Sequence, residues 1–322
     1  MITRRLALAM PATMLAPHAA RAQAFPARPV HFIVPYPPGG ITDLLARRLG
    51  EKLGAAWGQP VVIENRAGAG GNIAAAAAAR AAPDGYTIYM GFLGTNAANV
   101  SLYRELAYNP ARDFTPIGLV AAAPMMLTVN ARVPAGTLAD FIADARANPG
   151  KLTFGSSGNG GASHLALEHF KMLAKVDILH VPYSGTAPLT TDLVAGRIDG
   201  YFDVPITAAP NISAGLTRAL AVAFDRRSSR LPDVPTFAEA GMPEYSFSTW
   251  LGVLAPAGLP APVLARMSSD LIAVVRSQDF TEWCQARGLE TMPSTPEEFA
   301  SFMAAETEKF RHLISAAGIR VE

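Results

Sequence analysis

Apolar and polar positions alternate along this chain in two rhythms. Val30-His31-Phe32-Ile33-Val34 is a short, mostly apolar run ended by Pro35, and it reads as a buried strand. After it, Leu44, Leu45, Leu49 and Leu53 recur at helical spacing on one face. Val61-Val62-Ile63 is a second strand. The segment from Asn72 to Ala82 is nearly all alanine, the best helix former, and Pro83-Asp84-Gly85 stops it with turn chemistry. Tyr86 to Met90 is a third strand. Strands separated by helices predict parallel βαβ units and a doubly wound α/β sheet.

The same order restarts near Met125. Met125–Val129, Leu152–Phe154, Ile178–Val181, Gly200–Asp203 and Ala219–Phe224 read as strands. Leu138–Ala147, Leu165–Leu173 and Leu189–Val194 read as the helices between them. Beyond Pro235 comes one more apolar run, Trp250 to Leu254, and then helices that end near Gly318. This first-second-first order suits two lobes joined by two crossing strands. Residues 23–124 and 225–322 would form lobe 1, and residues 125–224 lobe 2. A single long sheet would explain the alternation too.

The N-terminus changes the charge balance. Arg4 and Arg5, an uncharged apolar stretch from Leu6 to Ala16, and Ala20-Arg21-Ala22 give the basic, apolar and small-residue zones of a secretory signal over residues 1–22. That apolar stretch is shorter than the roughly 20 residues a membrane span needs. Paired arginines are common in ordinary signals, so the general secretory route is expected over the twin-arginine route. Taking Arg4, Arg5 and Arg21 from the 27 basic residues leaves 24 against 26 acidic ones. A mature chain of that balance has no basic excess for a nucleic acid. Cys284 is the only cysteine, which excludes an intramolecular disulfide.

Two loops follow one plan, each joining a strand end to a helix start. The first is Pro35-Tyr36-Pro37-Pro38-Gly39-Gly40-Ile41-Thr42-Asp43, and the second runs from Gly155 through Ser156, Ser157, Asn159 and Ala162 to Ser163 and His164. Glycine lets backbone come close to a ligand, and a helix start offers unpaired N–H groups and partial positive charge. Such ends bind anions without arginine or lysine, beyond the carboxyl ends of the strands. Plain helix capping, by Thr42 or Asp43 in one loop and Ser163 in the other, is the alternative. A third loop places Thr95 and Asn96 at a strand end. Neither glycine-rich loop is a P-loop or a dinucleotide fingerprint. There is no Gly-x-Ser-x-Gly elbow. His164, Glu168 and His169 read as a solvated helix face rather than a metal site, and no cofactor is expected.

With these segments in order the chain resembles the substrate-binding proteins of tripartite tricarboxylate transporters, the Bug-type receptors. The resemblance rests on Pro37-Pro38-Gly39-Gly40-Ile41-Thr42-Asp43, on Val62 to Gly71, and on Pro83-Asp84-Gly85-Tyr86-Thr87. It continues through Asp113-Phe114-Thr115-Pro116-Ile117, Phe154 to Gly158, His180-Val181-Pro182-Tyr183 and Asp233 to Gly241. It implies a type II periplasmic-binding-protein fold, two doubly wound lobes with a central ligand cleft. It also implies a non-enzymatic, monomeric periplasmic receptor that captures a small carboxylate for transporter membrane subunits. The implied contacts are Tyr36, Gly39, Gly40, Asp43, Thr95 and Asn96 in lobe 1, and Ser156, Ser157, Asn159, Ala162, Ser163 and Asp203 in lobe 2. An acidic Asp203 would suit an amino group on the ligand. A ligand sensor for a two-component system, or a secreted α/β hydrolase, are the alternative functions.

Overall fold

The computed structural model describes residues 25–228 and 230–319. The expected secretory signal, residues 1–22, lies outside the described residues.

The first block runs β1 (Val30–Val34), α1 (Ile41–Trp57), β2 (Val61–Asn65), α2 (Asn72–Ala79), β3 (Thr87–Phe92), α3 (Asn99–Leu102) and β4 (Phe114–Pro124). Buried Leu45, Leu49, Leu53 and Trp57, four residues apart, form the inner face of α1. In α2 the buried Ala74, Ala75 and Ala78 let that helix lie close on the sheet. The second block runs β5 (Met126–Asn130), α4 (Leu138–Ala147), β6 (Thr153–Ser156), α5 (Ala162–Ala174), β7 (Leu179–Pro182), α6 (Thr186–Ala195), β8 (Gly200–Asp203), α7 (Pro205–Ser213) and β9 (Thr217–Val222). The third runs β10 (Ser248–Pro256), α8 (Ala261–Arg276), α9 (Gln278–Gln285), β11 (Glu290–Thr291) and α10 (Pro296–Ala317).

Two sheets result. One has the order β11-β4-β10-β3-β1-β2 and the other β7-β6-β8-β5-β9. The third block therefore returns to the first sheet. Each sheet is mixed: β1 is parallel to β2 and β3, whereas β10 runs antiparallel to β3 and β4. In the second sheet β5 is antiparallel to β8 and β9. β5 and β10 are the strands by which the chain enters each sheet after crossing between the lobes.

The return to the first sheet comes at Ser248, not at residue 225. The stretch between packs on the second sheet because its large apolar side chains have their partners there. Phe237 and Tyr245 join Phe170 and Phe202 in one aromatic cluster, and Tyr245 Oη donates to Ala166 O at 2.9 Å. Val222 N donates to Pro235 O at 2.9 Å, extending the sheet's edge. The crossing segments are tied to each other. Ala223 N donates to Met125 O at 2.7 Å, and Met125 N to Phe247 O at 3.0 Å.

Strand β4 has no counterpart among the expected strands. Its Pro116 lacks a ladder donor, and its Ala121-Ala122-Ala123 run has helix propensity. Pro116 is tolerated because the pairing with β10 is irregular there, with a register shift between Val253 and Leu254.

Candidate functional site

The loop between β1 and α1 is braced from behind. Gly39 has φ of +96°, a backbone conformation that glycine adopts without steric cost. Gly39 N donates to Asp43 Oδ2 at 3.0 Å, and Asn65 Nδ2 donates to Asp43 Oδ1 at 3.0 Å and to Tyr36 O at 2.8 Å. Arg47 pairs with the same carboxylate at 2.9 Å. Burial pushes the Asp43 carboxyl up, but Arg47, the Gly39 N–H and Asn65 outweigh it and hold the carboxyl below its ordinary range. Asp43 is therefore committed to the loop. Gly40 follows in extended conformation as the N-cap of α1 and brings no side chain to the helix end.

The loop between β6 and α5 is held in the same manner. Ser163 Oγ accepts from Ser157 N at 3.0 Å. Ser156 is fully buried, where its hydroxyl donates to Gly158 O and lies 2.6 Å from His180 Nε2. Gly160 N donates to His164 Nδ1 at 3.1 Å. The two imidazoles stack at 4.1 Å between centroids. Burial lowers both, to about 3 for His164 and about 4 for His180, with His180 and Lys171 adding to the effect on His164 and Lys171 to that on His180. Both rings are neutral at physiological pH and pack behind the loop, His164 Nδ1 as an acceptor. The N-cap of α5, Gly161, also brings no side chain to its helix end.

The first turns of α1 and α5 thus face one cavity of about 60 Å³ between the lobes, each without a side-chain cap. Tyr36, Gly40, Ser157, Ala162, Ser163 and Asp203 all line it. Phe92, Met125 and Leu251 supply an apolar wall. Thr42, Thr186, Thr207 and Thr249 add hydroxyls, and Tyr201 a phenol. The hydroxyls of Tyr36 and Tyr201 are buried, the first acting with Ser157 and the second with Asp203. Asp203 Oδ1 accepts from Val204 N at 2.8 Å and from Thr207 Oγ1. Burial raises the Asp203 carboxyl to about 6, against the lowering effect of Thr207, Tyr201 and Val204 N–H. Among the described residues, no lysine, arginine or histidine lines the cavity.

Six expected contacts lie elsewhere. Gly39 and Asp43 shape the first loop from outside the cavity, and Ser156 supports the second from below. Thr95 is fully buried, its hydroxyl 2.8 Å from Tyr89 Oη and donating to Asn96 Oδ1 at 2.8 Å. Asn96 lies on the far side of that π-helical turn, Gly94–Ala98, against α10. The carbonyl of Asn159 is taken by Tyr103 Oη of the other lobe at 2.9 Å. Thr186 carried a readable signal, a Gly-Thr pair opening a helix, and Tyr201 is on the same strand face as Asp203 by two-residue alternation. Phe92, Met125 and Thr249 carried none, because only the folding of β3 and β10 side by side, and the crossing from β4 to β5 at Met125, bring them to the cleft.

The comparisons with known proteins bear on the family and the fold. Residues 45–319 match the model of the tripartite tricarboxylate transporter family receptor. The chain belongs to that family. It is 40% identical over 310 residues, 96% of this chain and 91% of the other, to a protein encoded in the tcbD–tcbE intergenic region of Pseudomonas sp. strain P51. Among solved structures it is similar to Rpa4515 of R. palustris with adipate, at 37% identity and a TM-score of 0.90, covering 92% of this chain and 100% of the other. MatC (Rpa3494) of Rhodopseudomonas palustris with bound malate superposes with a TM-score of 0.85 at 34% identity, over 90% of this receptor and 100% of MatC. The receptor thus has the two-lobed fold of periplasmic solute-binding proteins, and its relatives are solute receptors rather than enzymes.

Proposed function

We propose that this receptor captures a small carboxylate in the cleft between its lobes and presents it to the membrane subunits of a tripartite transporter. The carrying observation is the convergence of two helix N-termini, both free of side-chain caps, on one inter-lobe cavity. Each offers unpaired N–H groups and about half a positive charge to an anion. The serine and threonine hydroxyls and the buried phenol of Tyr36 supply further donors. Adipate and malate in the similar structures support a carboxylate of that size. Tyr36, Gly40, Ser157, Ala162, Ser163 and Asp203 are the proposed contacts.

A thermal-shift screen against a panel of carboxylic acids, including adipate, malate and aromatic acids, tests this reading. At least one acid should raise the melting temperature in proportion to the logarithm of its concentration, as binding to the native state alone requires. A panel that leaves the melting temperature unchanged at millimolar concentration would overturn it.

A further inference from the structure

We infer that the cleft binds its anionic ligand together with one compensating positive charge at Asp203. For a plain carboxylate that charge is a proton taken from solvent. For an amino acid it is the ligand's own ammonium group. The inference rests on the carboxylate reading above and adds a charge rule to it.

Asp203 lies in a confined setting without a full positive charge. The residue is 4% exposed and lines the same small cavity that receives the two helix ends. It cannot swing away, because Val204 N and Thr207 Oγ1 hold its Oδ1. Both of those bonds end on Oδ1, so Oδ2 is where a proton or an ammonium group is taken, with the Tyr201 phenol acting on the same carboxylate. The titratable groups facing the cavity with it are phenols, Tyr201 on its own strand and Tyr36 from the first loop. From α7 it meets Thr207, from β10 the cavity receives Thr249 and Leu251, and β5 pairs with it through Met126. None of these carries charge. An anion entering this cavity therefore shares a confined space with a second carboxylate and meets only partial positive charges at the helix ends. Two like charges so placed do not both stay ionised; one is neutralised by a proton. Burial has already raised Asp203 to about 6, so a neighbouring anion carries it through neutrality. The protonated carboxyl then becomes a donor to the ligand, where the ionised form only accepts.

Calorimetric titration at pH 7.5 in phosphate and in Tris, buffers of very different ionisation enthalpy, counts the protons. Adipate and malate are the plain acids, glutamate the ammonium-bearing one, and circular dichroism checks that Asp203→Asn is folded. A plain acid should bind with uptake of close to one proton, its affinity falling about tenfold per pH unit above pH 7. In Asp203→Asn that uptake should vanish and the affinity should be flat with pH. Glutamate should bind with little proton uptake and lose affinity in Asp203→Asn. A plain acid that binds wild-type protein with no proton exchange overturns the inference alone. So does uptake that persists in Asp203→Asn, since the proton then resides elsewhere. If none of the acids binds, the carboxylate reading fails and the inference falls with it.

Discussion

At the scale of single residues, Asp203 and the glycines of the first loop show how position decides role. Asp203 is buried and raised to about 6, whereas in the unfolded chain it titrates near 4. Its ionisation is therefore easier in the unfolded chain, and it destabilises the fold increasingly as pH rises through that window. Asp203→Asn should raise stability at pH 8 by about 1–3 kcal/mol and leave it nearly unchanged at pH 4, as read by urea denaturation at the two pH values. Equal effects at both would show that the side chain is not held as described. The first loop was legible in the sequence as a candidate ligand loop, but not the division of labour within it. Asp43 looks like a site residue because it is acidic and sits at a helix start. Only the fold shows that Arg47 and Asn65 consume it. Gly39 needs its positive φ, while Gly40 has an ordinary extended backbone and lies against the other lobe, where a Cβ would be 3.4 Å from Thr186 Oγ1.

At the scale of elements, the strand–loop–helix units carry both the site and the contacts that close it. A Cβ added at Gly185 would come within 2.7 Å of Pro37 Cδ, across the cleft, and the extended backbone there suits any residue. Gly185→Ala should thus weaken ligand binding at least severalfold while leaving the melting temperature of the ligand-free protein unchanged. Tyr103→Phe removes the Tyr103–Asn159 bond between lobes and should weaken binding by about 0.5–1.5 kcal/mol, a 2- to 12-fold loss by calorimetry. The stacked histidines behind the second loop give that lobe an acid limit. With His164 at about 3 and His180 at about 4 against about 6.5 unfolded, the unfolded state binds more protons below pH 6.5. The stability they allow is full above that pH and is lost as pH falls towards 4. His180→Gln should move the midpoint of acid unfolding, followed by circular dichroism, to lower pH. Element types were readable wherever apolar spacing was clean, as in β1, α1 and α4. They were not readable where proline and alanine blur the pattern, as in β4 and in α7 with its internal Pro210.

At the scale of the whole molecule, the two sheets are joined at Met125 and at Phe247, where backbone hydrogen bonds tie the crossing segments together. The sequence order suited a chain that leaves one lobe and returns, and left a single long sheet open as well. It placed the return some twenty residues early, because the partners of Phe237 and Tyr245 are apparent only in three dimensions. Contacts across the cleft, at Gly70 against Asn159 and at Gly185 against Pro37, describe a closed arrangement. A ligand that touches both lobes favours that arrangement by its differential affinity. Small-angle scattering should therefore give a smaller radius of gyration with saturating ligand than without it, and identical curves would exclude closure about this hinge.

The central claim is that the cavity between the α1 and α5 N-termini is the carboxylate site. Its most direct test is a calorimetric titration of the acid that gives the largest thermal shift, into wild-type protein and into Ala162→Leu, whose larger side chain fills the cavity at the start of α5. The account predicts one site per chain in the wild type and at least a hundredfold loss of affinity in a variant that circular dichroism shows to be folded. Undiminished binding by folded Ala162→Leu would contradict it and place the ligand elsewhere on the receptor.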